Sequence, residues 1–343
     1  MSETAPDFDL PAFERYLDRV FGANPSGSIE LQRIGGGQSN PTYIFAHGGR
    51  RMVLRKQPNG DILRGAHAVD REFRVLSALY GTDVPVPEPI RFEADPSVLG
   101  TPFYLMAFIE GRVFSDCRLP DLSPDERRAL YVSMAETLAR LHRIRPDDVG
   151  LETYGKPGSY FARQVHRWTT QLHASVSAPD PVLHELAGWL GDNLPDDDGL
   201  VSVAHGDFRL GNMLVHPTEP RVIAVLDWEL STLGHPLADL AFCCMPWHTS
   251  PDEYGGILGA VSEGIPSEAE FVAAYRRLLA EVPEPEPFHL AFALFRFAVI
   301  FVGIADRAAA GTAADPEAAR YAPLAHRFAC RAREVLDGNA HAL

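Results

Sequence analysis

A polar segment between two apolar runs is the first feature of the sequence that could carry chemistry. Residues 205–212 contain His205, Asp207, Arg209 and Asn212, with an apolar run on either side. Polar side chains cost free energy between buried strands unless they bind or react. In phosphoryl transfer, an Asp accepts the proton of a hydroxyl and an Asn five positions later binds a metal ion. Asp207 and Asn212 have this spacing, so the segment predicts a phosphoryl-transfer loop.

A second acidic position follows the next predicted strand. Asp227 ends the apolar run 222–226. Mg²⁺ prefers oxygen ligands and keeps waters and phosphate oxygens in its shell, so two protein ligands are enough. We therefore predict that Asn212 and Asp227 bind the metal. For Asp207 or Asp227 alone, the alternative is a turn residue that caps a strand.

These two segments carry a family resemblance. Residues 205–212 read H-G-D-F-R-L-G-N, and residues 226–229 read L-D-W-E. Together they resemble the aminoglycoside phosphotransferase-like branch of the protein-kinase-like fold. Segments 39–43 and 155–168 resemble a subgroup of that branch, the kinase-like domains fused to acyl-CoA dehydrogenases. For segment 155–168 the alternative is an amphipathic surface helix.

The resemblance implies an α+β, bilobal protein-kinase-like fold. The expected N-terminal nucleotide-binding lobe, residues 1–109, is a small mixed lobe of antiparallel sheet plus helix. Residues 110–343 are expected to form a larger, mostly helical catalytic and substrate-binding lobe. The resemblance also implies ATP as donor, with GTP as an alternative, Mg²⁺ as metal and a small-molecule hydroxyl as acceptor. The subgroup points to a hydroxyacyl metabolite as that acceptor.

The resemblance assigns the nucleotide-binding residues. A glycine loop between two strands lets backbone N–H groups approach phosphates. In the third strand Arg55 and Lys56 point to opposite faces, and the family alignment selects Arg55, where Lys is usual. Glu72 is the expected ion-pair partner, or else part of a solvated helix face. The nucleotide-binding set comprises Gly36, Gly37, Ser39, Arg55, Glu72, Phe108 and Ile109.

Roles around the loop follow from the same resemblance. Asp207 is the expected base, and Arg209 is expected to neutralise charge on the transferred phosphoryl group. His205 is expected to be structural. Asp239, in the motif G-H-P-L-A-D-L, is expected to brace the loop through backbone hydrogen bonds without touching substrate.

Two other function classes stay open at this point. The Arg in place of the usual Lys is compatible with a nucleotide-binding pseudokinase that acts as a sensor or docking module. The same carboxylates are compatible with a metal-dependent hydrolase, which would release phosphate without forming a phosphorylated acceptor.

Composition limits the partners. The chain has 343 residues, 46% of them hydrophobic, and 31 basic against 46 acidic side chains, a net charge of −15. We therefore expect no general attraction to nucleic acid or anionic lipid. Four cysteines without a C-x-x-C pair favour a cytoplasmic protein, and the first ten residues do not resemble a signal peptide. The apolar run 290–305 is interrupted by Arg296 and predicts a buried core helix instead of a membrane span. Oligomeric state is left open.

Overall fold

The structure, a computed structural model, describes residues 6–25, 27–34, 40–59, 68–156, 158–176, 180–311 and 318–338. The chain divides into two compact units. The first comprises residues 1–111 and 223–231, and the second comprises residues 112–222 and 232–343. The lobe boundary after residue 109 stays a prediction. No sequence pattern indicates that segment 223–231 groups with the first unit.

The first unit contains a five-stranded antiparallel sheet. The described strands are β1 (Gln32–Arg33), β2 (Thr42–His47), β3 (Arg50–Lys56), β4 (Pro89–Glu93) and β5 (Phe103–Ala107), and the helices are α1 (Leu10–Phe21) and α2 (Val69–Leu79). The strand order is β1-β2-β3-β5-β4. In this register Arg55 lies opposite Thr42 on one side and Tyr104 on the other.

One face of α1 and the sheet enclose the core of the first unit. Phe13 and Tyr16 of α1 pack edge-to-face against Phe103 of β5, and Phe13 also packs against Phe45 of β2. All four side chains are buried. Such aromatic contacts favour this T-shaped geometry, so they hold α1 on the sheet and fix the position of β3 between its neighbours.

The second unit is mostly helical. Its described helices are α3 (Pro124–Arg143), α4 (Tyr160–Ala174), α5 (Pro181–Asp192), α6 (Pro236–His248), α7 (Glu268–Arg276), α8 (Pro287–Ala309) and α9 (Ala322–Leu336), and its strands are β6 (Ser202–Ala204), β7 (Met213–Val215) and β9 (Thr232–Gly234). Strand β8 (Val222–Val225) contains the boundary between the units. Strands β6 and β9 pair antiparallel. The sequence predicts a capping box in which Ser123 precedes Pro124 and Glu126 lies three residues on. This capping box begins α3. The α+β class is confirmed as well.

Helix α8 corresponds to the apolar run in the sequence. It is the one helix in the described part of the chain that is long and apolar enough to cross a membrane by length and composition. However, 72% of its most apolar window is buried inside the protein, and Arg296 is buried with it. The helix therefore forms part of the core of the second unit.

Candidate active site

The polar loop 205–212 begins where β6 ends. Its first two backbone N–H groups, from His205 and Gly206, donate to the carboxylate of Asp239 at 2.6 and 2.9 Å. Gly206 has φ +84°, in the left-handed region that glycine adopts without strain. The next N–H, from Asp207, donates to Nδ1 of His205 at 3.1 Å. The loop backbone is thus held by a buried acid and a buried imidazole before any ligand is considered.

Asp239, the acceptor of these bonds, lies in the first turn of α6. His142 of α3 approaches Asp239 with Nε2 at 3.4 Å, while its Nδ1 lies 2.8 Å from the hydroxyl of Tyr275. Burial acts to raise the pKa of Asp239, but His142 and the neighbouring donors outweigh burial and hold that pKa below its usual value. The backbone hydrogen bonds predicted for Asp239 are present, and the structural role expected of His205 agrees with its complete burial.

Asp207, Arg209 and Asn212 lie together in the second unit. The side-chain nitrogen of Asn212 donates to the backbone oxygen of Asp207 at 2.9 Å and to its carboxylate at 2.7 Å. This orientation leaves the amide oxygen of Asn212 as the atom that can bind a cation. Nε of Arg209 lies 3.2 Å from the same carboxylate. The carboxylate of Asp207 is therefore fixed in position while its side chain stays partly accessible.

Arg55 lies among carboxylates in the first unit. Its Nε is 2.7 Å from Glu72, a contact without hydrogen-bond alignment and hence an ion pair. Its Nη2 donates to Asp227 at 2.6 Å and lies 3.9 Å from Glu229. Lys56 points to the opposite face, where it is fully buried and bonds Asp7 at 2.9 Å. The expected pair of Arg55 with Glu72 is present, and the pairing of Arg55 with Asp227 was not predicted.

Two further residues complete the surroundings of Glu72. The hydroxyl of Tyr104 donates to Glu72 at 3.0 Å, and the amide nitrogen of Asn40 donates to it at 2.5 Å. Burial raises the pKa of Glu72, and the neighbouring Arg55 offsets only part of that effect. Neither Tyr104 nor Asn40 was predicted as a partner of Glu72. The β3–β5 register would have revealed Tyr104, because it places that residue opposite Arg55.

Asp227 has an unusual backbone. Its φ is +65° and its ψ is +63°, a conformation that is uncommon for residues other than glycine and often found at functional positions. The indole of Trp228 donates to the backbone oxygen of Val225 at 3.1 Å, a bond that spans Asp227. Asp227 is thus held in a strained position beside Arg55.

The other predicted nucleotide-binding residues differ in what the structure describes. Gly36, Gly37 and Ser39 lie outside the described residues. Phe108 and Ile109 follow β5 and are half-buried. The N–H of Phe108 donates to the backbone oxygen of Arg51 at 3.3 Å, and the Arg51 guanidinium lies 3.7 Å from the Phe108 ring centroid. These two contacts fix the chain just after β5.

The predicted metal ligands are divided between the two units. Asn212 belongs to the second unit and Asp227 to the first, so their sharing of one ion stays a prediction. Within the described residues, no group of three or more His, Cys, Asp or Glu is arranged to hold a metal. An amide oxygen and a carboxylate fit a hard cation such as Mg²⁺, which completes its shell with water and phosphate. The donor chemistry therefore fits Mg²⁺ better than a softer metal.

Comparisons with known proteins agree with the fold. A model of the phosphotransferase enzyme family matches residues 30–260. Acyl-CoA dehydrogenase family member 11 of Gallus gallus is 41% identical over 341 residues, which cover 96% of this chain and 43% of that protein. The chain spans less than half the length of the curated relatives it matches.

Solved structures give the same result. A protein of Ralstonia eutropha assigned as an aminoglycoside phosphotransferase is 40% identical with a TM-score of 0.86, covering 96% of this chain and 99% of that one. A mutant of aminoglycoside phosphotransferase APH(4)-Ia, in complex with AMP-PNP and hygromycin B, is 16% identical with a TM-score of 0.61, covering 93% and 98%. This second likeness shows the fold alone. The predicted resemblance and the protein-kinase-like fold are confirmed.

Proposed function

The chain belongs to the phosphotransferase enzyme family, and from that premise we propose that it transfers the γ-phosphoryl group of ATP to a hydroxyl of a small molecule. Family and fold support small-molecule kinase activity. The donor, the metal, the acceptor and the roles of individual residues are the parts proposed here.

The observation that carries the proposal is the hydrogen-bonded state of loop 205–212. Asp207 is held by Asn212 at 2.7 Å, and the two preceding backbone N–H groups are held by Asp239. In this proposal the acceptor hydroxyl gives its proton to the Asp207 carboxylate as its oxygen attacks the γ-phosphorus. The bond between the γ-phosphorus and the β–γ bridging oxygen breaks as the new bond forms, and ADP leaves with that oxygen. Arg209, 3.2 Å from Asp207, stabilises the charge that builds up on the phosphoryl oxygens.

The nucleotide is assigned to the first unit. Gly36, Gly37, Ser39 and Arg55 are proposed to bind phosphates, and the chain at Phe108 and Ile109 is proposed to meet the base. Mg²⁺, held by Asn212 and Asp227, would neutralise phosphate charge when bound. Structural relatives include complexes with AMP-PNP, which supports an adenine nucleotide, and GTP remains the alternative donor.

The acceptor is proposed to be a hydroxyacyl metabolite. Hygromycin B is bound by a structure that is only 16% identical, so that neighbour gives little support for an aminoglycoside here. The curated relatives at about 40% identity are acyl-CoA dehydrogenase family members. In these relatives the part that matches this chain belongs to a protein named for acyl-CoA dehydrogenation. This name supports a hydroxyl-bearing acyl compound as the acceptor.

The decisive experiment is a screen for phosphate transfer followed by mass spectrometry. The purified chain is incubated with Mg·ATP and a panel of hydroxyacyl thioesters, aminoglycosides and choline-like amines. A product heavier by one phosphate is expected from the wild type. Loss of a general base typically costs about 10²–10⁴ in rate, so Asp207→Asn is expected to lose at least about 10² in single-turnover transfer.

The matched control is Asp121→Asn, which removes an exposed carboxylate from the same unit and is expected to transfer like the wild type. Equal single-turnover rates for Asp207→Asn and the wild type would overturn the assignment of the base. Release of phosphate with no phosphorylated product would indicate a hydrolase instead.

A nucleotide-binding pseudokinase is the second candidate, and one observation favours it. Arg55, the cation expected on the phosphates, pairs at 2.6 Å with Asp227, the carboxylate expected on the metal. A pseudokinase would bind Mg·ATP but transfer phosphate to no member of the panel. It would also hydrolyse no ATP when the panel is left out.

A further inference from the structure

Tyr254 lies in a loop between α6 and α7. It belongs to none of the motifs that carry the family resemblance. The residue is 44% exposed and has φ +64°. A positive φ is strained for a residue with a bulky side chain, and glycine or asparagine would adopt it at lower cost. A tyrosine at such a position suggests that its side chain, and not its backbone, is needed there.

The ring of Tyr254 contacts the cation of the catalytic loop. The guanidinium carbon of Arg209 lies 5.7 Å from the ring centroid, within the range of a cation–π interaction. The same guanidinium reaches the carboxylate of Asp207 at 3.2 Å. The guanidinium of Arg209 therefore makes two contacts. Its Nε contacts the proposed base, and its carbon lies over the Tyr254 ring.

The loop that carries Tyr254 is firmly tied. The N–H of Ile257 donates to the backbone oxygen of Pro246 at 2.7 Å, and that of Leu258 donates to Thr249 at 2.9 Å. A Cβ at Gly256 would lie only 1.9 Å from the backbone oxygen of Thr249, so the turn closes tightly. The residue before Tyr254, Glu253, pairs with Arg331 of α9 at 2.9 Å. The backbone beneath the ring is preorganised.

Aromatic neighbours hold the ring itself. Phe297 and Phe301 of α8 pack edge-to-face against Tyr254 at 5.4 and 5.2 Å, and Tyr321 packs at 6.3 Å. These contacts fix the plane of the ring. Packing alone is the simpler explanation of Tyr254, and it would not require the contact with Arg209.

We propose that Tyr254 is a positioning residue for phosphoryl transfer, whose ring face holds the Arg209 guanidinium beside Asp207. The ring contacts the guanidinium in addition to the Asp207 carboxylate. Arg209 can then reach the transferred phosphoryl group while Asp207 accepts the acceptor's proton. This inference rests on the proposed function.

A double-mutant cycle tests the inference. Tyr254→Leu and Tyr254→Gly remove the ring, and the glycine variant also relaxes the positive φ, so at least one of them should fold. A cation–π contact at a partly exposed site supports an expected loss in kcat of about two- to five-fold, with the KM for nucleotide unchanged. In the Arg209→Gln background neither substitution should change kcat further, because the partner of the ring is gone.

Two controls accompany the cycle. Tyr254→Phe keeps the ring face and is expected to keep kcat. Tyr80→Leu removes another exposed tyrosine, in the first unit, and is expected to have no effect. Equal losses from Tyr254→Leu in both backgrounds would mean that the ring acts through packing, and would overturn this inference while leaving the proposed function intact. A wild type that transfers no phosphate would overturn the proposed function and this inference with it.

Discussion

At the scale of single residues, Arg55 is the position where side-chain chemistry matters most. Its Nε faces Glu72 and its Nη2 faces Asp227, a residue 172 positions away in the sequence. Burial acts to lower the pKa of Arg55, but Glu72, Tyr104 and Asp227 outweigh it and raise that pKa. A guanidinium can serve two carboxylates from different nitrogens, whereas a lysine ammonium is a single point charge. The Arg is therefore suited to a bridging position that a Lys would fill less well.

The pair Arg55→Met and Lys56→Met separates the two neighbouring cations of β3. Arg55→Met leaves the carboxylates of Glu72 and Asp227 without their cation, so Mg·ATP affinity is expected to fall at least about tenfold, and a buried pair broken on one side typically costs about 3–5 kcal/mol in unfolding free energy. Lys56→Met changes a contact with Asp7 on the opposite face and is expected to leave affinity within about twofold. Isothermal titration calorimetry measures the Mg·ATP affinity of each variant, and urea unfolding measures its unfolding free energy.

The reverse pattern would contradict the assignment of Arg55. If folded Lys56→Met lost Mg·ATP affinity while Arg55→Met kept it, Lys56 would be the phosphate-binding cation.

The site residues that could be predicted from the sequence are those whose role follows from their spacing along the chain. The opposite orientation of Arg55 and Lys56 follows from strand alternation alone, and the structure agrees. Tyr104, Asn40 and Tyr254 were missed because their partners lie far away in the sequence. Their contacts depend on sheet register and on loop packing, which no local pattern specifies.

At the scale of elements, the start of α8 shows how helix capping and burial combine. His289 is buried, and its Nδ1 accepts the N–H of Glu286 at 3.0 Å. Phe161 lies 5.1 Å from its ring, and His235 stacks at 6.4 Å. Burial first, and then the neighbouring His235, lower the pKa of His289 to about 4. The imidazole is therefore neutral in the folded protein at physiological pH.

This lowered pKa makes stability depend on pH. Below pH 6.5 the unfolded chain takes up a proton on His289, whereas the folded chain does so only near pH 4. His289 therefore makes its full contribution to the free energy of unfolding above pH 6.5. As the pH falls towards 4, this free energy decreases by about 3 kcal/mol. His289→Gln keeps an oxygen for the Glu286 N–H but does not titrate, so it should lose less stability over this range. Urea unfolding between pH 4.5 and 7.5 measures the difference.

The control is His166→Gln, at an exposed position of α4, which is expected to follow the wild-type pH dependence. A His289→Gln variant whose stability falls with acid as steeply as that of the wild type would show that His289 is not the responsible group.

Helices were easier to predict than strands. The sequence predicts a helix over residues 181–190, and this helix appears as α5, Pro181–Asp192, with the proline in its first turn. The alternating residues 29–34 predict a strand, but a strand is formed only at Gln32–Arg33. The proline-rich run 84–89 predicts a loop, whereas the structure begins strand β4, Pro89–Glu93, at the last of these residues. As an edge strand it tolerates that proline, which a sequence pattern cannot reveal.

At the scale of the whole molecule, chain order and spatial grouping differ. Segment 223–231 follows half of the second unit in sequence but belongs to the first, and it brings Asp227 to Arg55. The predicted lobes were continuous ranges, since composition and periodicity change once near residue 109. A short segment that joins a distant unit has no compositional signal, so the sequence could supply Asp227 as a candidate ligand but not its contact with Arg55.

The composition of α8 leads to a prediction for the whole chain. By length and composition the helix resembles a membrane span, yet 72% of its most apolar window is covered by the protein. Burial of this surface in the core removes the driving force for insertion. In Triton X-114 phase separation the folded chain is therefore expected in the aqueous phase. The control is the same chain unfolded by heat. Unfolding exposes α8, so this sample is expected in the detergent phase or the precipitate. Recovery of the folded chain from the detergent phase would show that α8, or another surface of the molecule, is available to lipid.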